Sequence, residues 1–236
     1  MRTHRFIGDF NFSGDRIEIG DPDIVRQMRS VLRLEVGKEV ILGNGNKDEV
    51  VAVIAEIKKN SIEFQVVKRM KNMNEPKIEV VLYCAILKSE HFEFVVEKAT
   101  EVGVHEIVPI LTERTVKLDV RVDRLSKIAR EAAEQSGRGI VPLVRDHLTF
   151  NNAMTDAERN DMNFFLHADK KARDFRETSP EKSKRVGIFV GPEGGWTDNE
   201  VNLVRKSKFV VATLGKLTLR SETAAIVASY LALQND

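Results

Sequence analysis

GPEGGWTDNE at 191–200, the apolar run that follows it at 209–215, and LGKLTLRSETAA at 214–225 carry most of the architectural information in this chain. The first segment leaves the apolar run RVGIFVG (185–191) through a glycine-rich turn. It then enters Thr197-Asp198-Asn199-Glu200, which has the form of a capping box. Strand, Gly-rich turn and helix in that order expose backbone N–H groups and admit a flat ligand closely. The spacing is neither a Walker A loop, since no Lys-Ser/Thr follows, nor G-x-G-x-x-G, so a phosphate-cradling nucleotidase and an ordinary dinucleotide enzyme are disfavoured. The second loop leads into an Ala-rich segment, with Ser221 predicted as its N-cap. That segment is apolar on nearly every side and should be buried, in part against a second subunit. Arg220, at its start and beside Gly215, is placed to face an anion.

Working outward, 236 residues suffice for one large or two modest domains. Hydrophobic residues make up 42% and charged residues 31%, the profile of a globular protein. The start MRTHRFIGDF has no signal-like apolar core and no apolar run is long enough to span a bilayer, so a cytoplasmic location is expected. The single cysteine, Cys84, sits in the apolar run VVLYCAIL and excludes an internal disulfide. The five histidines have no metal-ligand spacing, so no metal site is indicated. A net charge of +1 gives the whole molecule a weak field, and any RNA contact must come from local patches.

The first part of the chain reads as short strands: RIEIG (16–20), KEVILG (38–43), DEVVAVIAEI (48–57) and SIEFQVV (61–67). Turn residues such as Gly43-Asn44-Gly45-Asn46 separate them, which predicts hairpins closing into a small barrel. One helix, from Asp23 to about Leu34, interrupts them and would place Arg26, Arg29 and Arg33 on one face. These arginines, with Arg5 next to Phe6, are the candidates for RNA contact, although a solvated basic face fits as well. KRMKNMNEPK (68–77) reads as a linker and gives domains at 1–72 and 73–236.

Beyond it, strands alternate with helices. IEVVLYCAIL, a helix from about Glu90 to Val102 stopping at Gly103, and HEIVPIL form a βαβ beginning, which implies a mostly parallel sheet. Phe92, Val95, Val96 and Ala99 form the buried stripe of that helix. Further strands are expected at 163–168, 185–191 and 209–215, with polar stretches at 151–161 and 169–184 as surface connections. Arg121–Arg138 reads as an amphipathic helix. Leu125, Ile128, Ala129 and Ala132 form its apolar stripe, and Glu131, Glu134, Gln135 and Arg138 share the other face. The SGRG ending would let Arg138 project from a tight turn.

Four motifs in order, KATEVGVHEIVPILTERTV (98–116), REAAEQSGRGIVPLV (130–144), FVGPEGGWTDNEV (189–201) and LGKLTLRSETA (214–224), with THRF near the start and VLRLEVG at 31–37, resemble the RsmE family. These are the 16S ribosomal RNA uridine-N3 methyltransferases of the SPOUT superfamily. The resemblance implies an α/β fold. The same resemblance implies a PUA-like, RNA-binding β-barrel over 1–72 and a SPOUT methyltransferase domain with a trefoil knot over 73–236. It also implies S-adenosyl-L-methionine as methyl donor, 16S ribosomal RNA as partner, within the small ribosomal subunit, and a homodimer. Carried over by motif, the cofactor would sit among Leu166, His167, Gly191, Pro192, Gly194, Gly195, Leu214, Gly215, Leu217 and Leu219. Where the family usually has an Arg-Ile pair before Leu-Arg, this chain has Leu217-Thr218; Arg220 is retained.

Uracil N3 carries an imide proton, and neutral uridine is a poor nucleophile until that proton leaves. A nearby arginine favours the anion, so Arg220 and Arg138 are the candidates for that charge, with Glu193 or Glu134 as base or orienting group. No metal is required by this chemistry. Two other readings stay open on sequence: methylation at another RNA position such as a ribose 2′-hydroxyl, and a non-catalytic RNA-binding assembly factor.

Overall fold

The computed structural model describes residues 3–116, 120–169, 172–178 and 183–234. It divides into two compact units, Met1–Glu75 with Ala133–Val141, and Pro76–Ala132 with Pro142–Asp236. The split thus falls just beyond the expected 72/73 boundary. The return of 133–141 to the first unit is a non-local feature that a linear reading does not contain.

The first unit is built on one sheet of five strands, β1 (His4–Ile7), β2 (Arg16–Ile19), β3 (Glu39–Gly43), β4 (Asp48–Ile57) and β5 (Ile62–Lys71), in the order β1-β3-β4-β5-β2. Alternation along β2, β3 and β4 puts Ile17, Ile19, Val40, Leu42, Val50, Ala52 and Ile54 in one core with Phe6, Ile62 and Phe64. The pairs β3–β4, β4–β5 and β2–β5 are antiparallel, as hairpin signals predict, whereas β1 runs parallel to β3. β5 continues to Lys71, so the expected linker begins inside a strand: Lys68 to Lys71 pair with Val51 to Asp48.

The expected helix at 23–34 is shorter and bent. α1 (Pro22–Arg26) starts on the Asp21 carboxylate, which accepts from the Asp23 and Ile24 N–H groups, and a π turn follows over Gln27–Val31. Arg33 then adopts a left-handed φ of 51°. Burying Met28 and Leu34 while Val31 stays exposed requires that change of course. Arg26, Arg29 and Arg33 therefore do not share one regular helical face, which corrects the spacing argument.

The second unit carries a parallel sheet: β6 (Glu79–Ala85), β7 (Glu106–Leu111), β8 (Leu143–Val144), β9 (Leu148–Thr149), β10 (Met162–Leu166), β11 (Arg173–Asp174), β12 (Arg185–Val190) and β13 (Val210–Thr213). Its order is β11-β13-β10-β12-β6-β7-β8, with β9 also on β7, and every pair is parallel. Continuous apolar runs such as Val80–Ala85 suit strands covered on both faces. α2 (Ser89–Val102) buries Phe92, Val95, Val96 and Ala99 and ends at Gly103 with φ 108°, where a Cβ would also meet Pro76 at 2.8 Å. α6 (Ser221–Leu233) packs against α2, β6 and β12. Its N-cap is Arg220, without a side-chain cap bond, and Ser221, expected as the cap, is instead the first helical residue, so the helix begins one residue earlier than expected.

Three further α-helices occur among the described residues. α3 (Val122–Ser136) buries Leu125, Ala129 and Ala132. α4 (Phe150–Asp156) occupies part of what read as a polar connection; Thr149 caps it, and Phe150 and Ala153 anchor it in the core. α5 (Asp198–Arg205) begins with the predicted capping box, Thr197 and Glu200 each satisfying the other's backbone N–H. Parts of the expected connection at 169–184, namely 170–171 and 179–182, lie outside the described residues.

Candidate active site

Because the strands are parallel, all their C-terminal ends lie on one edge of the sheet, where open α/β folds place ligands. A cleft of about 700 Å³ opens there. Much of its lining comes from the ends of five neighbouring strands and the residues after them: Lys88 after β6, Arg114 after β7, Leu166–Ala168 at the end of β10, Val190–Glu193, Gly195 and Trp196 at the end of β12, and Thr213, Leu214 and Leu217–Arg220 at the end of β13. The opposite edge is closed by a structural ion network. There Glu106 holds Arg145 at 3.1 Å, Arg159 at 2.6 Å and Arg185. Burial raises the Glu106 pKa, and the arginines more than compensate, so its carboxyl lies below the ordinary range.

Trp196 fixes the glycine loop. Its indole Nε1–H donates to the Leu166 carbonyl at 2.8 Å, and its ring lies 4.4 Å from that of Phe165 and 5.4 Å from that of Phe150. Gly191 must lack a side chain, since a Cβ there would lie 2.9 Å from the indole. Arg114 reaches across from β7 and donates to the Gly194 carbonyl at 2.7 Å and the Trp196 carbonyl at 3.2 Å. Glu200, 2% exposed, accepts from Glu113 N–H at 3.1 Å and Thr197 N–H at 2.8 Å. The loop is thus held from both sides before any ligand arrives. The second loop is braced by the Thr213 hydroxyl, which donates to the Gly215 carbonyl at 3.1 Å.

Of the residues expected around a cofactor, all except Gly194 and Gly215 line this cleft, together with Glu193 and Arg220. Both glutamates of the cleft, Glu193 and Glu222, act on Cys84: burial first, then their charges, push its thiol pKa up, which leaves it an inert core residue.

Arg138 and Glu134 are not among the lining residues; both belong to the first unit. Arg138 follows the end of α3 and is 4% exposed, bonded through Nη2 to Glu75 Oε2 at 2.8 Å. The other Glu75 oxygen accepts from the Gly139 and Ile140 N–H groups at 2.9 and 3.0 Å. The expected projection of Arg138 from its turn is therefore replaced by a buried ion pair. Glu134 Oε1 accepts from Ile7 N–H at 2.8 Å. Among the RNA-contact candidates, Arg5 pairs with Glu49 at 3.1 Å, Arg26 lies 3.8 Å from Asp23, and Arg29 donates to the Lys58 and Lys59 carbonyls. Arg26 and Arg33 remain exposed.

Lys88, His91, Arg114, Trp196 and Glu222 also line the cleft, and none was singled out from sequence. Lys88 follows directly on an apolar strand run and Arg114 comes three residues after the end of one, the one local signal that places them at the C-terminal edge of the sheet. That β6 and β12 are neighbours is not written in the local sequence.

A parallel sheet with a glycine-loop cleft at its C-terminal edge defines an α/β ligand-binding unit, and the chain carries a second unit built on a small, mostly antiparallel sheet. The family model described as RNA methyltransferase domain matches residues 74–233, and that described as RNA methyltransferase PUA domain matches 21–67. Ribosomal RNA small subunit methyltransferase E of Mesomycoplasma hyopneumoniae is 34% identical over 71% of this chain and 74% of its own. The protein of the same name from Rickettsia conorii is 31% identical over 90% and 87%. The crystal structure of a ribosomal RNA small subunit methyltransferase E from Neisseria gonorrhoeae, bound to S-adenosyl methionine, superposes with a TM-score of 0.88 at 28% identity, covering 97% of this chain and 95% of that one. The chain belongs to the ribosomal RNA small subunit methyltransferase E family.

Proposed function

We propose that this protein methylates N3 of a specific uridine in the 16S RNA of the small ribosomal subunit, with S-adenosyl-L-methionine as methyl donor. The observation that carries the reading is the meeting of the Gly191–Gly195 loop, the Leu214–Leu219 loop and Arg220 in one cleft at the C-terminal edge of the sheet. The cleft volume is within the range of ordinary small-molecule sites. Leu166, Val190, Leu214 and Leu219 offer apolar walls for a purine, and the backbone of the two loops offers orienting polar groups. The residues present therefore fit the donor, which supplies an activated methyl group when bound.

The protein's own part is positional and electrostatic. The braced glycine loop fixes one wall, so that the reacting atoms meet in line. Arg220, at the start of α6, is exposed and bears its charge at the cleft, where it stabilises the uridine anion as the imide proton leaves. The first unit supplies RNA affinity, with the exposed Arg26 and Arg33 of the bent α1 segment as its cations.

A homodimer would cover two of the exposed apolar side chains, Tyr230 of α6 at 50% exposure and Phe94 of α2 at 44%. Among the described residues no helix is long and apolar enough to cross a membrane. The test is nucleoside analysis of 16S RNA from cells lacking the gene: loss of N3-methyluridine, restored by the wild-type gene, supports the reading, and an unchanged nucleoside profile refutes it.

A further inference from the structure

The first turns of α2 and α6 meet beside the cleft through two residues that the function so far leaves unused. His91 Nδ1 lies 3.4 Å from Glu222 Oε1, and both residues line the cleft. The glutamate is largely withdrawn from water, its side chain 12% exposed, while the histidine keeps 34%. On the far side of the ring, Nε2 lies 4.0 Å from Glu90 Oε1, whose side chain is 89% exposed. The other charged or titratable groups of this cleft are Lys88, Arg114, His167, Glu193 and Arg220.

A neutral imidazole has one N–H and one bare nitrogen, and the group facing the N–H decides which is which. A withdrawn carboxylate opposite Nδ1 holds the proton there and leaves the Nε2 lone pair free, the arrangement in which histidine acts as a base. We propose that His91 accepts the uridine N3 proton at Nε2, with Glu222 fixing the tautomer and Glu90 passing the proton on to solvent. The proposal rests on the uridine-N3 reading above.

The step balances. The N3–H proton goes to His91, its electron pair stays on nitrogen and forms the bond to the methyl carbon, and the C–S pair leaves with sulfur as a neutral thioether. A ring nitrogen whose partner nitrogen faces a withdrawn carboxylate is better arranged to take this proton than the exposed Glu193 carboxylate is.

Three measurements on full-length protein test this. His91→Ala is expected to lower single-turnover methylation by about 10²–10⁴-fold. The wild-type rate should fall on acidification, that fall should be absent in the variant, and added imidazole should restore the lost rate. S-adenosylmethionine affinity, measured by calorimetry, should stay within a few fold. Nitrogen-15 NMR of the ligand-free protein, well above neutral pH, should show the His91 proton on Nδ1, and Glu222→Gln should redistribute it. N3-methyluridine formed by His91→Ala at the wild-type rate and pH profile overturns the proposal alone. So does a rate loss matched by lost cofactor affinity and not rescued by imidazole, or a ring protonated on Nε2. A wild-type product lacking N3-methyluridine overturns the functional reading, and the proposal with it.

Discussion

The indole of Trp196 donates to the carbonyl of Leu166 at 2.8 Å, joining the glycine loop after β12 to the end of β10. Two cleft walls that are far apart in sequence are thereby held as one piece. Trp196→Phe keeps most of the packing but leaves that carbonyl without its donor, at a cost of about 1–3 kcal/mol. Chemical denaturation should show the loss, and calorimetry a several-fold weaker S-adenosylmethionine affinity. Gly191→Ala should weaken binding further, because its Cβ displaces the indole itself.

Arg220→Ala separates binding from chemistry. The side chain is exposed and makes no capping bond, so stability should change by less than about 0.5 kcal/mol. Cofactor affinity should stay within a few fold while methyl transfer falls by about 10²-fold or more. Single-turnover assays beside calorimetry distinguish the two quantities.

Arg138 should behave as a stabilising residue of the first unit. Arg138→Met strands the buried Glu75 carboxylate, and breaking a buried pair from one side costs about 3–5 kcal/mol. Burial works to raise the Glu75 pKa, but Arg138 and the Gly139 and Ile140 N–H groups hold it below the ordinary 4.5. A carboxyl depressed on folding contributes stability that is fully present above its unfolded pKa and is lost as pH falls through the folded value. Acid titration followed by circular dichroism should show that loss below about pH 4.5, with the slope reduced in Glu75→Gln.

Much of this was legible in the sequence, and the exceptions have physical causes. Capping residues act within one turn, so Thr197-Glu200 and Gly103 could be read directly, and so could the stripe of α2. Arg138 could not: helical periodicity puts it on the outer face of α3, but the helix ends at Ser136, and the partner that buries Arg138 is Glu75, distant in sequence. The same limit applies to the cleft. The glycine loop and Arg220 are recognisable as local motifs, whereas Lys88, His91 and Arg114 join them only through the order of strands in the sheet. Phe150, at the edge of a polar run, starts a helix because it reaches the Trp196 ring, which no local pattern records.

RNA affinity should depend on the exposed cations of the first unit. Arg26→Ala and Arg33→Ala are each expected to weaken RNA binding and to lower the salt dependence of the binding constant by about one ion. Arg29→Ala should act mainly on stability, since its guanidinium is spent on the Lys58 and Lys59 carbonyls. Filter binding over a range of salt concentrations, with thermal denaturation alongside, checks both statements.

The most direct measurement is methylation of small-subunit ribosomal RNA or particles by the purified protein with labelled S-adenosylmethionine, followed by mass mapping of the modified nucleoside. Label confined to the base of one uridine, at N3, and lost in Arg220→Ala is the expected result. Label on a ribose 2′-hydroxyl, or none with a fully folded protein that binds the cofactor, would contradict it.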